Sequence, residues 1–224
     1  MRSRFEFEPQ VLLPYIGYYL QGLQVTVALA LAALTIALLV GLALALMSVS
    51  RFALLRAFVA GYVWIFRAIP IYVYLLWVYY GLPVMVGVNL SPVTAGLICL
   101  GSQLAAFQSE VFRASLKGVS VGQVEAAMSV GLSRLQTFTS VTFPQMVRLA
   151  LPPTGSNFVL IVRETSLVAV IGVFEITRYT QLAISYNFRA FEFYSALAVL
   201  YGALVMSLSA GVSALERRFA IRAH

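Results

Sequence analysis

Residues 122–131 of the chain read Gly122-Gln123-Val124-Glu125-Ala126-Ala127-Met128-Ser129-Val130-Gly131. This stretch lies inside a polar island, Gly118 to Gln145, which has long apolar runs on both sides. Of the 224 residues, 61% are hydrophobic and 10% are charged, whereas soluble proteins carry about 25% charged residues. A water-soluble protein of this size does not need so many hydrophobic residues or so few charged ones. The sequence therefore predicts a membrane protein with one prominent polar loop.

Apolar runs of roughly 20 residues can cross a hydrocarbon core about 30 Å thick. Five runs are candidates: Tyr18 to Met47, Phe58 to Leu82, Val93 to Phe112, Gln145 to Phe174 and Phe193 to Leu215. No repeat or linker divides them, so we predict a single all-α transmembrane domain over residues 1–224, with five transmembrane helices. Five crossings place the two chain ends on opposite sides of the membrane.

The positions of the basic residues indicate the orientation. On one side of the five-span arrangement lie Arg51, Arg56, Arg113, Lys117, Arg134, Arg148, Arg217, Arg218 and Arg222. On the other side lie Arg2, Arg4, Arg178 and Arg189, while Arg67 and Arg163 fall inside spans. Because cytoplasmic loops are enriched in basic residues, the N-terminus is predicted outside and the C-terminus in the cytoplasm. The net charge of +7 forms no basic stripe with interleaved aromatics, which argues against nucleic acid binding.

The island is predicted to form two short helices. Ser120 with Gln123, and Ser133 with Gln136, both fit the capping box that satisfies backbone amides at a helix start. Gly131 suits the left-handed position that ends the first helix. Several apolar residues of the island need a cover, since a solvated loop would leave them exposed: Val121, Val124, Met128, Val130 and Leu132. A hairpin that packs only on its own spans is the alternative to a partner protein.

Prolines are expected to interrupt helices at three places, because proline removes a backbone donor and disfavours helix in the residue before it. Pro70, three residues after Arg67, makes the second span irregular. Pro144 is predicted to stop the second island helix, and Pro152 with Pro153 to break the fourth span. Broken backbone at membrane depth must be buried in protein or line a wet cavity.

Residues for catalysis are scarce. The chain has one histidine, His224, no aspartate and one cysteine, Cys99, which is expected to be a buried small hydrophobe. No metal site, catalytic triad or disulfide within the chain is expected, and no phosphate-binding loop for a nucleotide is present. The N-terminus mixes charges of both signs, so no cleaved signal peptide is expected. Any ATP-driven step must come from a partner.

Ionisable residues inside spans suggest a solute site, since each costs about 2.5 to 3.5 kcal/mol at a helix centre. Arg163 and Glu164 precede Thr165 and Ser166, whose hydroxyls can bond a carboxylate or an ammonium. The alternative is an internal ion pair that only holds helices together. Ser102 and Gln103, with Gln108, form a second polar cluster that could line a pathway or join helices. Glu110 and Arg113 can pair on one helix face.

The motifs together resemble those of importer-type ABC transporter permeases. In order along the chain these are Phe66-Arg67-Ala68-Ile69-Pro70, Ala105-Ala106-Phe107-Gln108-Ser109-Glu110-Val111-Phe112-Arg113, the island, Phe143-Pro144-Gln145, Leu151-Pro152-Pro153 and Arg163-Glu164-Thr165-Ser166-Leu167. They recur in the polar amino acid branch of that family and cover nearly the whole chain. Members of the branch more often read Lys-Asp-Thr-Ser where this chain has Arg163 and Glu164, so the charges are kept on longer side chains.

The resemblance implies a permease subunit that carries a polar amino acid or similar solute into a bacterial cell. It implies three partners: a cytoplasmic ATPase dimer that binds ATP and Mg, a periplasmic solute-binding protein, and a second permease subunit, identical or paralogous. This chain would hold no cofactor. The ATPase would contact the coupling residues Gly122, Gln123, Glu125, Ala126, Ala127 and Gly131. A passive channel or pore for small polar solutes and a membrane enzyme are the alternatives.

Overall fold

The computed structural model of the chain describes residues 7–219, and every element in that range is helical. The helices are α1 Ile16–Ser48, α2 Ala53–Ala68, α3 Ile71–Leu76, α4 Leu82–Val86, α5 Pro92–Lys117, α6 Val121–Ser129, α7 Arg134–Thr137, α8 Phe143–Glu164, α9 Ile176–Asn187 and α10 Ala190–Phe219. Pro9–Tyr15 and Thr165–Ile171 are 3-10 segments, and Trp77–Gly81 and Phe138–Thr142 are π-helical. The predictions for Arg2, Arg4, Arg222 and His224 fall outside the described residues.

Three helical runs within 7–219 are long and apolar enough to cross a membrane, namely Pro9–Ser48, Arg134–Ile171 and Ala190–Arg217. They contain the first and fifth predicted spans and all but the last three residues of the fourth. The bent pair of α2 with Ile71–Val86 adds a fourth if it counts as one span. The third predicted span forms α5, a single helix whose amide and hydroxyl side chains lower its hydropathy. The all-helical fold is confirmed, and the count of five crossings stays a prediction.

Small side chains bring α1 and α5 together at the centre of the fold. Ala30 and Ala33 on α1 are fully buried, and so is Cys99 on α5, as predicted. A Cβ atom at Gly101 of α5 would lie 2.8 Å from Cγ2 of Ile36, which leaves no room for a larger residue. Helices in membranes associate in this way because close backbone packing replaces the hydrophobic driving force found in water.

The second predicted span is broken where the sequence indicated. Ile69 has extended backbone, with φ −87° and ψ 124°, because the residue before Pro70 avoids the helical region. The chain bends by 100° between α2 and the run Ile71–Val86. The Gln103 side chain of α5 donates from Nε2 to the carbonyl oxygens of Phe66 at 3.1 Å and Ile69 at 3.0 Å. Protein side chains thus satisfy the backbone that the break exposes.

Helix α8 continues through the prolines that were expected to interrupt it. Pro144 lies in the first turn of α8, directly after the π-helical segment Phe138–Thr142, and local π adjustments can satisfy the backbone groups that a proline leaves free. Pro152 and Pro153 lie inside the helix, so the predictions of a stop at Pro144 and of a break in the fourth span are both wrong. The reason is lateral packing. Helix α10 approaches so closely that Val212 occupies the space beside Gly155, and neighbouring helices can support proline-containing helices in a membrane.

Helix α9 was not predicted from the sequence, and it begins at a fully buried carboxylate. Glu175 accepts hydrogen bonds from the backbone N–H groups of Thr177 at 2.9 Å and Arg178 at 2.8 Å, and from the Tyr201 hydroxyl of α10 at 2.8 Å. Burial raises the pKa of the Glu175 carboxyl, and the hydrogen bonds to its charged form oppose that rise. This cap holds the start of α9 against α10.

Candidate functional site

The island forms the two predicted short helices, α6 and α7. Ser133 and Gln136 make the predicted capping box: the Ser133 N–H donates to Gln136 Oε1 at 2.9 Å, and the Gln136 N–H donates to Ser133 Oγ at 3.3 Å. The predicted box of Ser120 and Gln123 is wrong, because the Gln123 N–H donates to the Ser120 backbone carbonyl instead, at 3.2 Å. Gly131 has φ 91°, the left-handed conformation predicted for it.

The island presents most of the predicted coupling residues on its surface. The exposed ones are Gly122, Gln123, Glu125, Ala126 and Gly131. Ala127 is only 8% exposed, so it contributes little of this surface, and its coupling role stays a prediction. Large apolar side chains of the island are also exposed: Val121, Met128, Val130 and Leu135. Exposed apolar residues on a polar loop indicate a surface that another protein covers.

A cavity of about 290 Å³ lies at the break between α2 and α3, and we call it the solute cavity. Its polar lining comes from three separate parts of the chain: Arg67 of α2, Gln103 of α5 and Glu164 of α8. The Arg67 guanidinium lies over the ring of Phe107, with Cζ 5.2 Å from the ring centroid. A cation, an anion and an amide in one partly apolar cavity can bind both charged ends of a zwitterion.

The predicted charged pair of the fourth span separates in the structure. Glu164 lines the solute cavity, whereas Arg163 is exposed and does not line it. Within the described residues no ion pair joins the two side chains. The alternative interpretation, an internal Arg163–Glu164 pair that only holds helices together, therefore has no support in the geometry.

The predicted hydroxyl ligands lie outside the solute cavity. Thr165 is fully buried and donates from Oγ1 to the carbonyl oxygen three residues earlier, at 2.7 Å, and Ser166 does the same from Oγ at 2.8 Å. The Ser102 hydroxyl is 3.1 Å from the Tyr74 hydroxyl. Serine and threonine commonly bond their own helix in this way, and Ser102 does so through the Ile98 carbonyl oxygen at 2.5 Å. The donor of each of these three hydroxyls is therefore already used within the chain. Their role in solute binding stays a prediction.

The sequence allowed two roles for the amide side chains of α5, which were lining a pathway and joining helices. Gln103 and Gln108 differ in which of these roles their contacts favour. Gln103 both lines the solute cavity and ties α5 to the end of α2. Gln108 is fully buried, donates from Nε2 to Thr154 Oγ1 at 2.6 Å and accepts from Asn157 Nδ2 at 3.1 Å. This second network joins α5 to α8 and has the helix-joining role.

Arg67 and Phe107 line the solute cavity but were not predicted from the sequence as site residues. A signal was available, because a cation within a span requires a partner or a wet cavity. The pairing of Arg67 with Phe107, however, depends on how α2 packs against α5. Two residues 40 positions apart cannot be matched from spacing on a single helix.

Comparison with known proteins gives consistent matches over nearly all of the chain. The chain is 36% identical over 192 residues to "Probable amino-acid permease protein YxeN" of Bacillus subtilis, covering 85% of this chain and 86% of that protein. It is 32% identical over 217 residues to the histidine/lysine/arginine/ornithine transport system permease protein HisQ of Salmonella typhimurium, covering 92% and 95%.

A solved structure shares both fold and sequence with this chain. The structure described as "Crystal structure of an amino acid ABC transporter with histidines" contains a chain that matches with a TM-score of 0.89 and 31% identity, over 96% of this chain and 100% of that one. Residues 33–221 match the family described as "Binding-protein-dependent transport system inner membrane component". The chain belongs to this family, as a multi-pass transport permease subunit of ABC importers and not an enzyme.

Proposed function

We propose that this permease subunit moves a polar amino acid, or a similar small polar solute, from periplasm to cytoplasm by alternating access. The observation that carries the proposal is the solute cavity, where Arg67, Gln103 and Glu164 meet at a helix break. Arg67 would bind the solute carboxylate and Glu164 its ammonium group, through charge-assisted hydrogen bonds. The names of the relatives, an amino-acid permease and a permease for histidine, lysine, arginine and ornithine, support the same solute class.

A second permease subunit, identical or paralogous, would complete the solute path. Arg67 is exposed in the single chain, yet it lies within a predicted span, and ionisable residues at membrane depth face protein or water. A second subunit packed over this side would shield Arg67 and Glu164 from lipid. Two such subunits related by a twofold axis would place both solute cavities near a common midline.

The remaining partners follow from the family and the exposed island. A cytoplasmic ATPase dimer, which would bind ATP and Mg, would cover the apolar side chains of α6 and contact Glu125 and Ala126. A periplasmic solute-binding protein would deliver the solute to the opposite end of the bundle. This chain would bind no cofactor itself.

Uptake into proteoliposomes that contain the whole complex tests the proposed function. We expect a radiolabelled polar amino acid to accumulate only when ATP is present on the side that carries the ATPase and the binding protein is present on the other. A hydrolysis-resistant ATP analogue is the control and should give no accumulation. Equal uptake with and without ATP would instead support the passive channel.

The orientation gives a separate prediction, because the nine-to-four distribution of basic residues predicts that the island is cytoplasmic. Asn89 and Ser129 are both exposed, and in a Cys99→Ser background each can carry a single cysteine. A membrane-impermeant thiol reagent added to intact cells with a permeable outer membrane should modify Asn89→Cys and leave Ser129→Cys unmodified. The reverse pattern would show that the topology is inverted.

A further inference from the structure

Two larger cavities adjoin the solute cavity, and together we call them the vestibule. One, of about 650 Å³, lies between α2 and α5, and the other, of about 610 Å³, lies between α5 and α8. Arg67 lines both of them and the solute cavity as well. Glu110 and Arg113 line both parts of the vestibule, toward the end of α5 that leads into the island. The three cavities therefore follow one another from Glu164 toward the island side of the bundle.

The vestibule carries an excess of positive charge. Its lining includes the guanidinium groups of Arg56, Arg67 and Arg113 and one carboxylate, Glu110. Arg113 pairs with Glu110, as their spacing predicted, and donates from Nε to Oε1 at 3.0 Å. Among residues 7–219 no carboxylate forms an ion pair with Arg56 or Arg67. Arg56 donates instead to the backbone carbonyl oxygens of Ser50 at 2.9 Å and Arg51 at 3.1 Å. Glu110 is thus one carboxylate among three guanidinium groups, so the lining keeps a net positive charge.

We infer that the vestibule is the water-filled cytoplasmic exit of the solute path, and that its positive lining favours solutes with a free carboxylate. The inference rests on the proposed function for the direction of transport. A cleft lined by one sign of charge raises the local concentration of counter-ions by about 10- to 1000-fold. Arg67 stands where the solute cavity meets the exit, so a carboxylate that leaves Arg67 enters a cavity whose lining keeps a net positive charge.

Single cysteines can test both the water and the charge of the vestibule. In a Cys99→Ser background, Ala60→Cys places a thiol in the vestibule. Ala57→Cys is the matched control, because Ala57 is an exposed alanine on the same helix that lines none of these three cavities. Because Ala57 is next to Arg56, the control position also lies near a cation. A higher ratio at Ala60→Cys therefore cannot result from a single neighbouring charge. The whole transporter is kept in inside-out membrane vesicles, and thiol reagents of similar size bear either a sulfonate or a quaternary ammonium group.

We expect both reagents to modify Ala60→Cys, and the ratio of anionic to cationic rate there to exceed the ratio at Ala57→Cys by on the order of tenfold. Adding Arg67→Gln should reduce this excess. No modification at Ala60→Cys would overturn the water-filled exit and show that lipid or a second subunit fills it. Equal ratios at both positions would overturn the charge preference, and an excess unchanged by Arg67→Gln would overturn the role of Arg67. None of these readouts requires uptake, so a failed proposal of amino acid transport would be recognised separately.

Discussion

Ala126→Trp is expected to abolish ATP-driven uptake, with a loss of at least about tenfold, while the protein still inserts in the membrane. Ala126 is exposed on α6, and a bulky ring there would hold a docked protein away from the island, at about 1 to 3 kcal/mol or more for an overpacked contact. Gly131→Val should have a comparable effect, because a β-branched residue is strained at φ 91°. Uptake and co-purification of the ATPase from solubilised membranes measure the result.

Two further tryptophan variants show whether bulk alone is responsible. Ala214 is an exposed alanine of α10 outside the island, so Ala214→Trp should leave uptake and ATPase binding unchanged. Ala127 is buried within the island, and Ala127→Trp should instead make the island sensitive to proteolysis. Full uptake by both Ala126→Trp and Gly131→Val would remove the island from the ATPase contact.

Glu164→Gln is expected to reduce uptake by about 10- to 100-fold, the range for losing a hydrogen bond to a charged group. The carboxylate lines the solute cavity and has no ion-pair partner in the described residues. Replacing this carboxylate with an amide therefore leaves no buried cation without its partner. The yield of the complex should be unchanged. A purely structural buried pair would behave differently, since removing one member costs about 3 to 5 kcal/mol and lowers assembly.

Arg163→Gln is the matched control for Glu164→Gln. It removes one charge from the neighbouring residue, which is exposed and lies outside the solute cavity. We expect nearly normal uptake and normal complex yield. A loss of uptake for Arg163→Gln equal to that for Glu164→Gln would move the site to the surface of α8, and normal uptake by both variants would exclude the pair from the pathway.

Features that depend on neighbouring residues could be predicted from the sequence. The break at Pro70 and the left-handed Gly131 were predicted correctly, because each follows from the backbone of one or two residues. The capping box at Ser133 formed as expected, whereas Ser120, with the same spacing, bonded through its backbone. Both choices satisfy the same amide, so local sequence does not decide between them.

Features that depend on packing between distant segments could not be predicted. Two adjacent prolines such as Pro152 and Pro153 predict a break in a helix. The close approach of Val212 at Gly155 supports the helix there instead. The solute cavity joins side chains from α2, α5 and α8, and only Glu164 and Gln103 of that set were predicted. Arg67 was visible as a charge within a span, and its neighbours depend on the fold.

The continuous helical run Arg134–Ile171 has a mechanical consequence. Its 38 residues include both α7 in the island and Glu164, which are separated by about 45 Å along a helix that rises 1.5 Å per residue. The π-helical segment Phe138–Thr142 and the prolines of α8 lie between these two points, but the helices are joined end to end and can transmit a displacement along their axis. The Gln108 network attaches α5 to the same run. A push on α7 would therefore displace Glu164 directly, while the joint at Pro70 lets α2 and α3 tilt against this run. A displacement of the island and a change in the exposure of the solute cavity would then be coupled through one helical run.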